Sequence, residues 1–199
     1  MLYALPRESE KSDAAYSPVE LETARLRLRM FAPEDAGELS LITSDPEVME
    51  YIGDGVPLSE DATTMNLASI IETFKKRGFG RWALVHKELN KLIGYCGLSH
   101  NNAQVGVEVA YLLAKPYWGQ GLATEAARAC LRYGFEVLRL ETIGGVTRPA
   151  NDKSRRVLER LGMKYVCHAV YHGYDCVHYS ISRSEFRPHP SWYAVKRTA

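Results

Sequence analysis

A glycine-containing segment is the part of this sequence whose residue types point most directly to chemistry: Gly119-Gln120-Gly121-Leu122-Ala123-Thr124. An apolar run precedes it and an alanine-rich run follows it, which predicts a strand, a tight loop and a helix. Glycine lacks Cβ and so permits a sharp turn or the close approach of a ligand. The first amides of a helix have no intrahelical acceptor, and the helix dipole favours negative charge there. The segment therefore predicts a phosphate or pyrophosphate site, although an ordinary strand-to-helix turn has the same pattern.

This segment differs from two common nucleotide-binding motifs. No Lys-Ser or Lys-Thr follows the glycines, as a P-loop requires, and the third glycine of the dinucleotide fingerprint is missing. A pyrophosphate held by backbone amides without a lysine suits coenzyme A better than a nucleoside triphosphate.

Glu108 is a second candidate, because it is a carboxylate within the otherwise apolar strand 105–111. Strand alternation places it on the same face as Gly106 and Ala110. A carboxylate there is costly unless it is paired or functional, and partial burial would raise its pKa towards the range useful to a general base. The alternative is a strand carboxylate paired with a nearby arginine.

The amino-acid composition limits the classes of protein to which this chain can belong. The 199 residues carry 25 basic and 24 acidic side chains, a balance that argues against a nucleic-acid or membrane-surface binder. The four cysteines show no C-x-x-C spacing, and buried reduced thiols are the favoured interpretation. The histidines are scattered without metal-ligand spacing, no apolar run approaches about 18 residues, and the N-terminus lacks a signal-peptide core. We therefore expect a cytoplasmic protein with no metal.

Periodicity and turn residues predict a mixed α/β protein with a central sheet and helices on both faces. Residues 1–19 form a loose N-terminal arm, 20–182 the domain, and 183–199 a weakly structured C-terminal tail. Strands are predicted at 25–30, 81–86, 92–98, 106–113, 141–147, 163–170 and 175–182. Helices are predicted at 33–42, from 44 to about 52, at 60–77, 124–138 and 151–162. Turns are predicted at 88–91, 101–104 and 171–173.

Three separated stretches resemble the GNAT acyltransferases, in the branch that contains the ribosomal-protein N-terminal acetyltransferases. The first comprises Leu21–Arg29, Pro33–Ala36 and Asp45–Met49; the second is Tyr117–Ala126; the third is Asn151–Met163. The resemblance covers roughly residues 20–182. It implies the GNAT fold, a mostly antiparallel sheet in which two parallel strands, 106–113 and 141–147, splay apart around acetyl-CoA.

The resemblance also implies a set of coenzyme contacts. The backbone of Leu112 and Leu113 would pair with the pantetheine arm, and the segment from Gly119 to Thr124 would hold the pyrophosphate. Asn151 would bind the pantetheine arm, a role that can coexist with capping the following helix. Ser154 would lie close to the thioester.

For the reaction, we expect Glu108 to be the base and a strand amide near Leu112 or Leu113 to stabilise the oxyanion. Many acetyltransferases use a tyrosine acid at a position that here corresponds to Leu158, which cannot donate a proton. Ser154 is the replacement candidate, with a purely binding role as the alternative.

The acceptor site is expected between two segments that lie far apart in the sequence. Tyr51 and Ile52 would form one wall, and Tyr171 and His172 of the last hairpin the other. The sequence thus predicts transfer of an acetyl group from acetyl-CoA to a primary amine, on a protein N-terminus or a small molecule. A non-catalytic acetyl-CoA sensor and use of another acyl-CoA are the alternatives, and a homodimer is compatible with the branch.

Overall fold

The architecture is a nine-stranded sheet with helices on both faces, seen in a computed structural model that describes residues 19–102 and 106–197. The strands are β1 (Val19–Thr23), β2 (Leu26–Arg29), β3 (Arg81–His86), β4 (Lys91–Asn102), β5 (Gly106–Leu113), β6 (Thr142–Thr147), β7 (Lys164–Tyr171), β8 (Tyr174–Ser182) and β9 (Tyr193–Arg197). The helices are α1 (Ala36–Thr43), α2 (Pro46–Met49), α3 (Glu60–Arg77), α4 (Leu122–Arg132) and α5 (Asp152–Arg160). The predicted mixed α/β fold is confirmed.

The strand order is β7-β8-β6-β5-β4-β3-β2-β1-β9. Neighbouring strands are antiparallel except β5 and β6, which run parallel near the middle of the sheet. Within the described residues, no helix is both long and apolar enough to cross a membrane.

Residues at the two ends of α3 determine where this helix begins and ends. The hydroxyl of Ser59 accepts a hydrogen bond from the Ala62 amide at 3.2 Å, and α3 ends at Gly78 in the left-handed conformation with φ 74°. This agrees with the predicted helix 60–77, because serine suits the N-cap and glycine suits the left-handed C-cap.

Helix α4 packs closely on the sheet because its inner face carries small residues. Ala126, Ala127 and Ala129 are buried against the strands. The helix begins at Leu122, and a short π-helical segment, Tyr133–Val137, continues it towards the predicted end. Small side chains let the helix axis approach the sheet, and this fixes the position of the loop that precedes α4.

The tail was expected to be weakly structured after residue 183, but Tyr193–Arg197 form β9 and pair with β1 along its whole length. The predicted strand 25–30 corresponds to β2, and β1 was not predicted. Residues 1–18 of the arm predicted at 1–19 lie outside the described residues, and Val19 begins β1. Residues 103–104 of the turn predicted at 101–104 also lie outside them, whereas residues 101–102 extend β4.

Trp82 links strands β1 and β3 to residues of α3 and of the π-helical segment. Its ring is fully buried and meets Phe74 and Tyr133 edge-on at 5.1 and 5.4 Å between ring centroids. Its indole Nε1 donates to the Val19 carbonyl at 2.8 Å and so ties β1 to β3. Loss of this side chain removes packing and leaves a buried carbonyl without its donor.

We predict that Trp82→Ala lowers the free energy of unfolding by about 3–5 kcal/mol, the usual cost of deleting a buried tryptophan. Urea titration followed by circular dichroism measures this. Met65→Ala serves as the control, because Met65 is 75% exposed on α3 and its loss should leave stability nearly unchanged. Equal stabilities for the two variants would contradict this account of the core.

Candidate functional site

The parallel strands β5 and β6 separate after a short contact. Their register contains one pair, Glu108 with Gly144, whereas β4 pairs with β5 from Gly106 to Leu113. Within the described residues, the edge of β5 that faces β6 therefore has no strand partner beyond Val109. Backbone donors and acceptors along this edge are free to bind an extended ligand as a strand would.

Strand alternation assigns the backbone groups of Leu112 and Leu113 to different edges. The Ala114 amide donates to the Ile93 carbonyl of β4 at 2.8 Å, so residue 112 also directs its polar groups towards β4. Residue 113 then faces the gap, and its carbonyl accepts from the Trp118 indole at 2.7 Å. Between the two sequence candidates, this alternation favours Leu113 as the backbone partner of a bound chain.

The loop before α4 has the conformation that its glycines permit. Gly119 and Gly121 have φ of 74° and 77°, and a Cβ built at Gly119 would meet no atom within 4 Å. The first helical hydrogen bond runs from the Glu125 amide to the Gly121 carbonyl at 3.0 Å. The amides of residues 122–124 therefore have no acceptor inside α4, and no side chain caps them. This is the geometry of a backbone anion site.

Arg25 holds this loop against the turn between β1 and β2. Its guanidinium donates to the Gln120 carbonyl at 3.0 Å and forms an ion pair with Glu125 at 2.6 Å. The Glu125 carboxylate also accepts from the Thr23 hydroxyl at 2.7 Å and from the Arg25 amide at 2.9 Å. Burial opposes ionisation of Glu125, but these hydrogen bonds outweigh it and keep its pKa below the ordinary value of 4.5.

The start of α5 brings Asn151 and Ser154 together with a tyrosine. The Asn151 Oδ1 accepts from the Ser154 amide at 3.1 Å, so the side chain caps the helix as predicted. The hydroxyls of Ser154 and Tyr111 lie 2.9 Å apart, and the tyrosine also donates to the Ser154 carbonyl at 3.1 Å. Burial raises the pKa of Tyr111, so this phenol stays protonated at neutral pH.

Tyr111 was not among the residues singled out from the sequence. Its hydroxyl lies where a serine alone was expected, while Leu158, at the position of the family's usual tyrosine acid, is buried in the core. The sequence did contain a signal for a second site residue, because Tyr111 is a polar aromatic residue three positions after Glu108 on the same strand. An odd separation sends the two side chains to opposite faces of the sheet.

A cavity of about 190 Å³ lies on the Glu108 side of the sheet and collects most of the predicted acceptor residues. Glu108, Tyr51, Tyr171 and His172 all line it, although they come from three distant parts of the chain. Glu108 is 7% exposed. Ile52 does not line the cavity and packs instead against the core between α1, α3 and the sheet.

Arg148 and Tyr174 complete this cavity. Tyr174 belongs to the hairpin expected to border the acceptor site, whereas Arg148 was not predicted as a site residue. The Arg148 guanidinium lies 4.2 Å from the centroid of the Tyr174 ring and donates to the Gly53 carbonyl at 2.7 Å. It therefore connects the loop after α2 with the hairpin between β7 and β8. No local sequence pattern shows such a link, because it joins three segments that meet only in the folded chain.

The base and acid candidates thus approach the gap between β5 and β6 from opposite faces. Glu108 lies in the cavity that Tyr51 and Tyr171 also line, whereas Ser154 and Tyr111 lie on the side of α4 and α5. A ligand in the gap can meet both, since the strands no longer pair beyond Glu108. The arrangement can accept a proton on one side of a reacting carbonyl and donate one on the other.

Comparison with known proteins identifies the family. Residues 25–164 match the Acetyltransferase (GNAT) domain. An uncharacterized N-acetyltransferase, p20 of Bacillus licheniformis, is 32% identical over 72% of this chain and 82% of its own length. The FsC-acetyl coenzyme A-N(2)-transacetylase of Aspergillus fumigatus is 30% identical over 83% of this chain and 77% of its own. Relatives also include a putative ribosomal N-acetyltransferase, YdaF of Bacillus subtilis.

Solved structures agree with these sequence matches. The crystal structure of a GNAT-family acetyltransferase from Bacillus anthracis superimposes with a TM-score of 0.74 and is 27% identical, covering 83% of this chain and 99% of that one. The predicted family and fold are therefore confirmed.

We predict that Glu125→Gln destabilises the protein by roughly 1–2 kcal/mol at pH 7, because hydrogen bonds to a partly buried carboxylate are weakened or lost. The depressed pKa of Glu125 contributes stability above pH 4.5, the ordinary value, and this contribution disappears as pH falls through the lower folded value. The wild type and variant should therefore converge in acid. Urea titrations from pH 7 downward measure this.

The control is Glu88→Gln, in the exposed turn between β3 and β4. It should match the wild type at every pH. A Glu125→Gln deficit that stays constant from neutral to acid pH would contradict the assigned role of this carboxylate.

Proposed function

We propose, from the premise that this chain belongs to the GNAT family and is an acyltransferase, that it moves an acetyl group from acetyl-CoA to a primary amine. The observation that carries this proposal is the unpaired edge of β5, with the free amides of α4 at one end and Glu108 at the other. We include a cytoplasmic location in the proposal, supported by the four cysteines, all of which are free thiols.

The coenzyme is proposed to extend from the start of α4, along the open edge of β5, to the start of α5. The amides of residues 122–124 face the pyrophosphate, and the Leu113 backbone pairs with the pantetheine arm. Asn151 contributes its side-chain amide to the same arm while its Oδ1 caps α5. This places the thioester near Ser154 and Tyr111.

The proposed reaction is direct attack of a neutral amine on the thioester carbonyl. The new C–N bond forms as the C–S bond breaks, and Glu108 takes the proton that the amine nitrogen loses. The Leu113 amide stabilises the oxyanion. The Ser154 hydroxyl gives a proton to the leaving sulfur and regains one from solvent after the products leave. Tyr111 holds that hydroxyl in place through their shared 2.9 Å hydrogen bond. The raised pKa of Tyr111 suits a group that must hold its proton at neutral pH.

The acceptor is proposed to be a slender amine, either a protein N-terminus or a small-molecule amine. The acceptor cavity is lined by tyrosines and holds a carboxylate that attracts a protonated amine. Two relatives are named as a putative ribosomal N-acetyltransferase and an N(2)-transacetylase, and both names support a nitrogen acceptor. A panel of peptides and amines, assayed with acetyl-CoA by release of free thiol, tests the proposal. Coenzyme binding without turnover on any acceptor would favour a sensor instead.

We predict that Gly121→Val prevents coenzyme binding. Valine is strained at φ 77°, and its side chain would occupy the approach to the amides of α4. Isothermal calorimetry with coenzyme A should show at least a 100-fold loss of affinity, on the order of 3 kcal/mol. The control is Gly173→Val, at φ 83° in the hairpin between β7 and β8, which carries similar strain away from the loop. Unchanged affinity in Gly121→Val would remove the loop from the coenzyme site.

We predict that Glu108→Gln lowers kcat by about 10²- to 10⁴-fold, the usual contribution of a general base. Coenzyme affinity should change little, because Glu108 lies on the acceptor side of the gap. Asp175→Asn is the matched control, since Asp175 is an exposed carboxylate on β8 outside the cavity lining. Full activity of Glu108→Gln across pH 6–9 would exclude it as the base.

A further inference from the structure

The acceptor cavity contains two groups of opposite charge that do not pair with each other. Glu108 contributes a carboxylate to its lining, and Arg148 contributes a guanidinium. Arg148 is half-buried and forms no ion pair within residues 19–102 and 106–197. The carboxylate of Asp175 lies between two lining residues in sequence, but it faces away from the cavity lining. The described part of the chain therefore leaves the positive charge of Arg148 without a counter-ion.

The Arg148 guanidinium is nevertheless held in one position. It lies 4.2 Å from the centroid of the Tyr174 ring and donates to the Gly53 carbonyl at 2.7 Å. A guanidinium has five N–H donors, and residues of the described ranges accept from one of them. The other donors are available to a ligand, and a group that is already fixed loses little conformational entropy when it binds.

A carboxylate is the ligand group that suits this arginine best. A partly buried cation without a counter-ion is unfavourable, and an anion that enters the cavity relieves this cost. The planar fork of a guanidinium matches the two oxygens of a carboxylate through parallel N–H···O hydrogen bonds.

The two charged groups enter the cavity from separate points. Glu108 pairs with Gly144 in the register of β5 and β6, and Arg148 follows Gly144 by four residues. Four residues of strand span about 13 Å. The neutral side chains of Val146 and Tyr171 also line the cavity. A ligand that meets both charged groups therefore has a charged group at each end and a short neutral body.

The size of the cavity indicates a small ligand. Its volume of about 190 Å³ is below the roughly 300–1,000 Å³ that is usual for pockets that hold drug-sized ligands. Only a molecule of few atoms can lie within it and contact both charged groups.

We infer that the acceptor is a small amino acid, with its amine at Glu108 and its carboxylate on the Arg148 guanidinium. The inference rests on the proposed function, because it takes Glu108 as the group that receives the proton of the amine. At neutral pH an amino acid carries an ammonium and a carboxylate, which complement the two charges of the cavity. Arg148 is thus a residue that determines acceptor specificity and takes no part in proton transfer.

Steady-state acetylation assays on the full chain, with saturating acetyl-CoA and release of free thiol as the readout, test this inference. The acceptors are glycine, β-alanine and 4-aminobutanoate, each compared with the alkylamine of equal length: ethylamine, propylamine and butylamine. For the best amino acid, kcat/KM should exceed that of its matched alkylamine at least about tenfold, the scale of hydrogen bonds to a charged group.

Variants of Arg148 separate recognition from a structural role. Arg148→Gln should abolish the preference for the amino acid, and Arg148→Lys should keep part of it, since lysine retains the charge without the fork. Arg148→Glu should reverse the preference, so that 1,3-diaminopropane becomes a better acceptor than β-alanine. A merely structural role of Arg148 would lower kcat/KM equally for all acceptors and would produce no reversal.

Arg77→Glu is the matched control, because Arg77 is exposed in the last turn of α3 and does not line the cavity. It should keep the preference of the wild type. Calorimetry with coenzyme A reports whether each variant is folded, because Arg148 lies outside the proposed coenzyme contacts.

Three results would overturn the inference. One is an equal kcat/KM of the wild type for amino acids and alkylamines. Another is a preference for 2-aminoethyl phosphate over every amino acid, which would assign Arg148 to a phosphate. The third is an amidated peptide with neutral side chains that is a better acceptor than every free amino acid.

Failure of the inference is distinguishable from failure of the proposed function. If the wild type acetylates alkylamines and amino acids equally, the inference fails and the proposed function stands. If the wild type binds coenzyme A but acetylates no amine or peptide of the panel, the proposed function itself fails.

Discussion

The separation of β5 from β6 is the constraint on which the rest of this site depends. A sheet normally satisfies its backbone donors and acceptors by pairing strands, yet these two strands share one register pair, Glu108 with Gly144. Strand β4 supports β5 along its whole length on the other side. The unpaired edge is therefore held in place by the sheet, and it is long enough to bind an extended chain.

The remaining features take their roles from their positions around this gap. Helix α4 starts at its end and presents free amides, and Arg25 fixes the loop before it by contacts with Gln120 and Glu125. On one face Glu108 lies in a cavity lined by tyrosines. On the other face Ser154 and Tyr111 share a hydrogen bond. The proposed proton acceptor and the proposed proton donor thus lie on opposite faces, while both reach the same opening.

The parts of the structure that could be predicted from sequence are those with local causes. Helix α3 begins after Ser59 and ends at Gly78, because a serine cap and a left-handed glycine act within one turn of the chain. Strand β5 agrees with its predicted bounds, since its apolar run lies between turn signals. The glycine loop and the Asn151 cap likewise follow from short-range geometry.

The parts that were missed have causes distant in sequence. Strand β9 is short and follows a proline-containing stretch, and its pairing with β1 joins residues 174 positions apart, as in the ion pair of Lys196 with Glu22. Arg148 acts through a loop and a hairpin that no periodicity connects. In the sequence, Tyr111 resembles an ordinary strand residue, because its partner Ser154 lies 43 positions away at the start of α5. The resemblance to the family predicted the coenzyme, but it could not predict contacts made by residues outside the shared motifs.

Amide hydrogen–deuterium exchange, with and without saturating acetyl-CoA, tests the central claim most directly. The account predicts slower exchange in the bound state for residues 109–113 on the open edge of β5 and for residues 121–124 at the start of α4, with little change in β3. Saturated binding without added protection in residues 109–113 would contradict the claim that the coenzyme occupies the gap between β5 and β6.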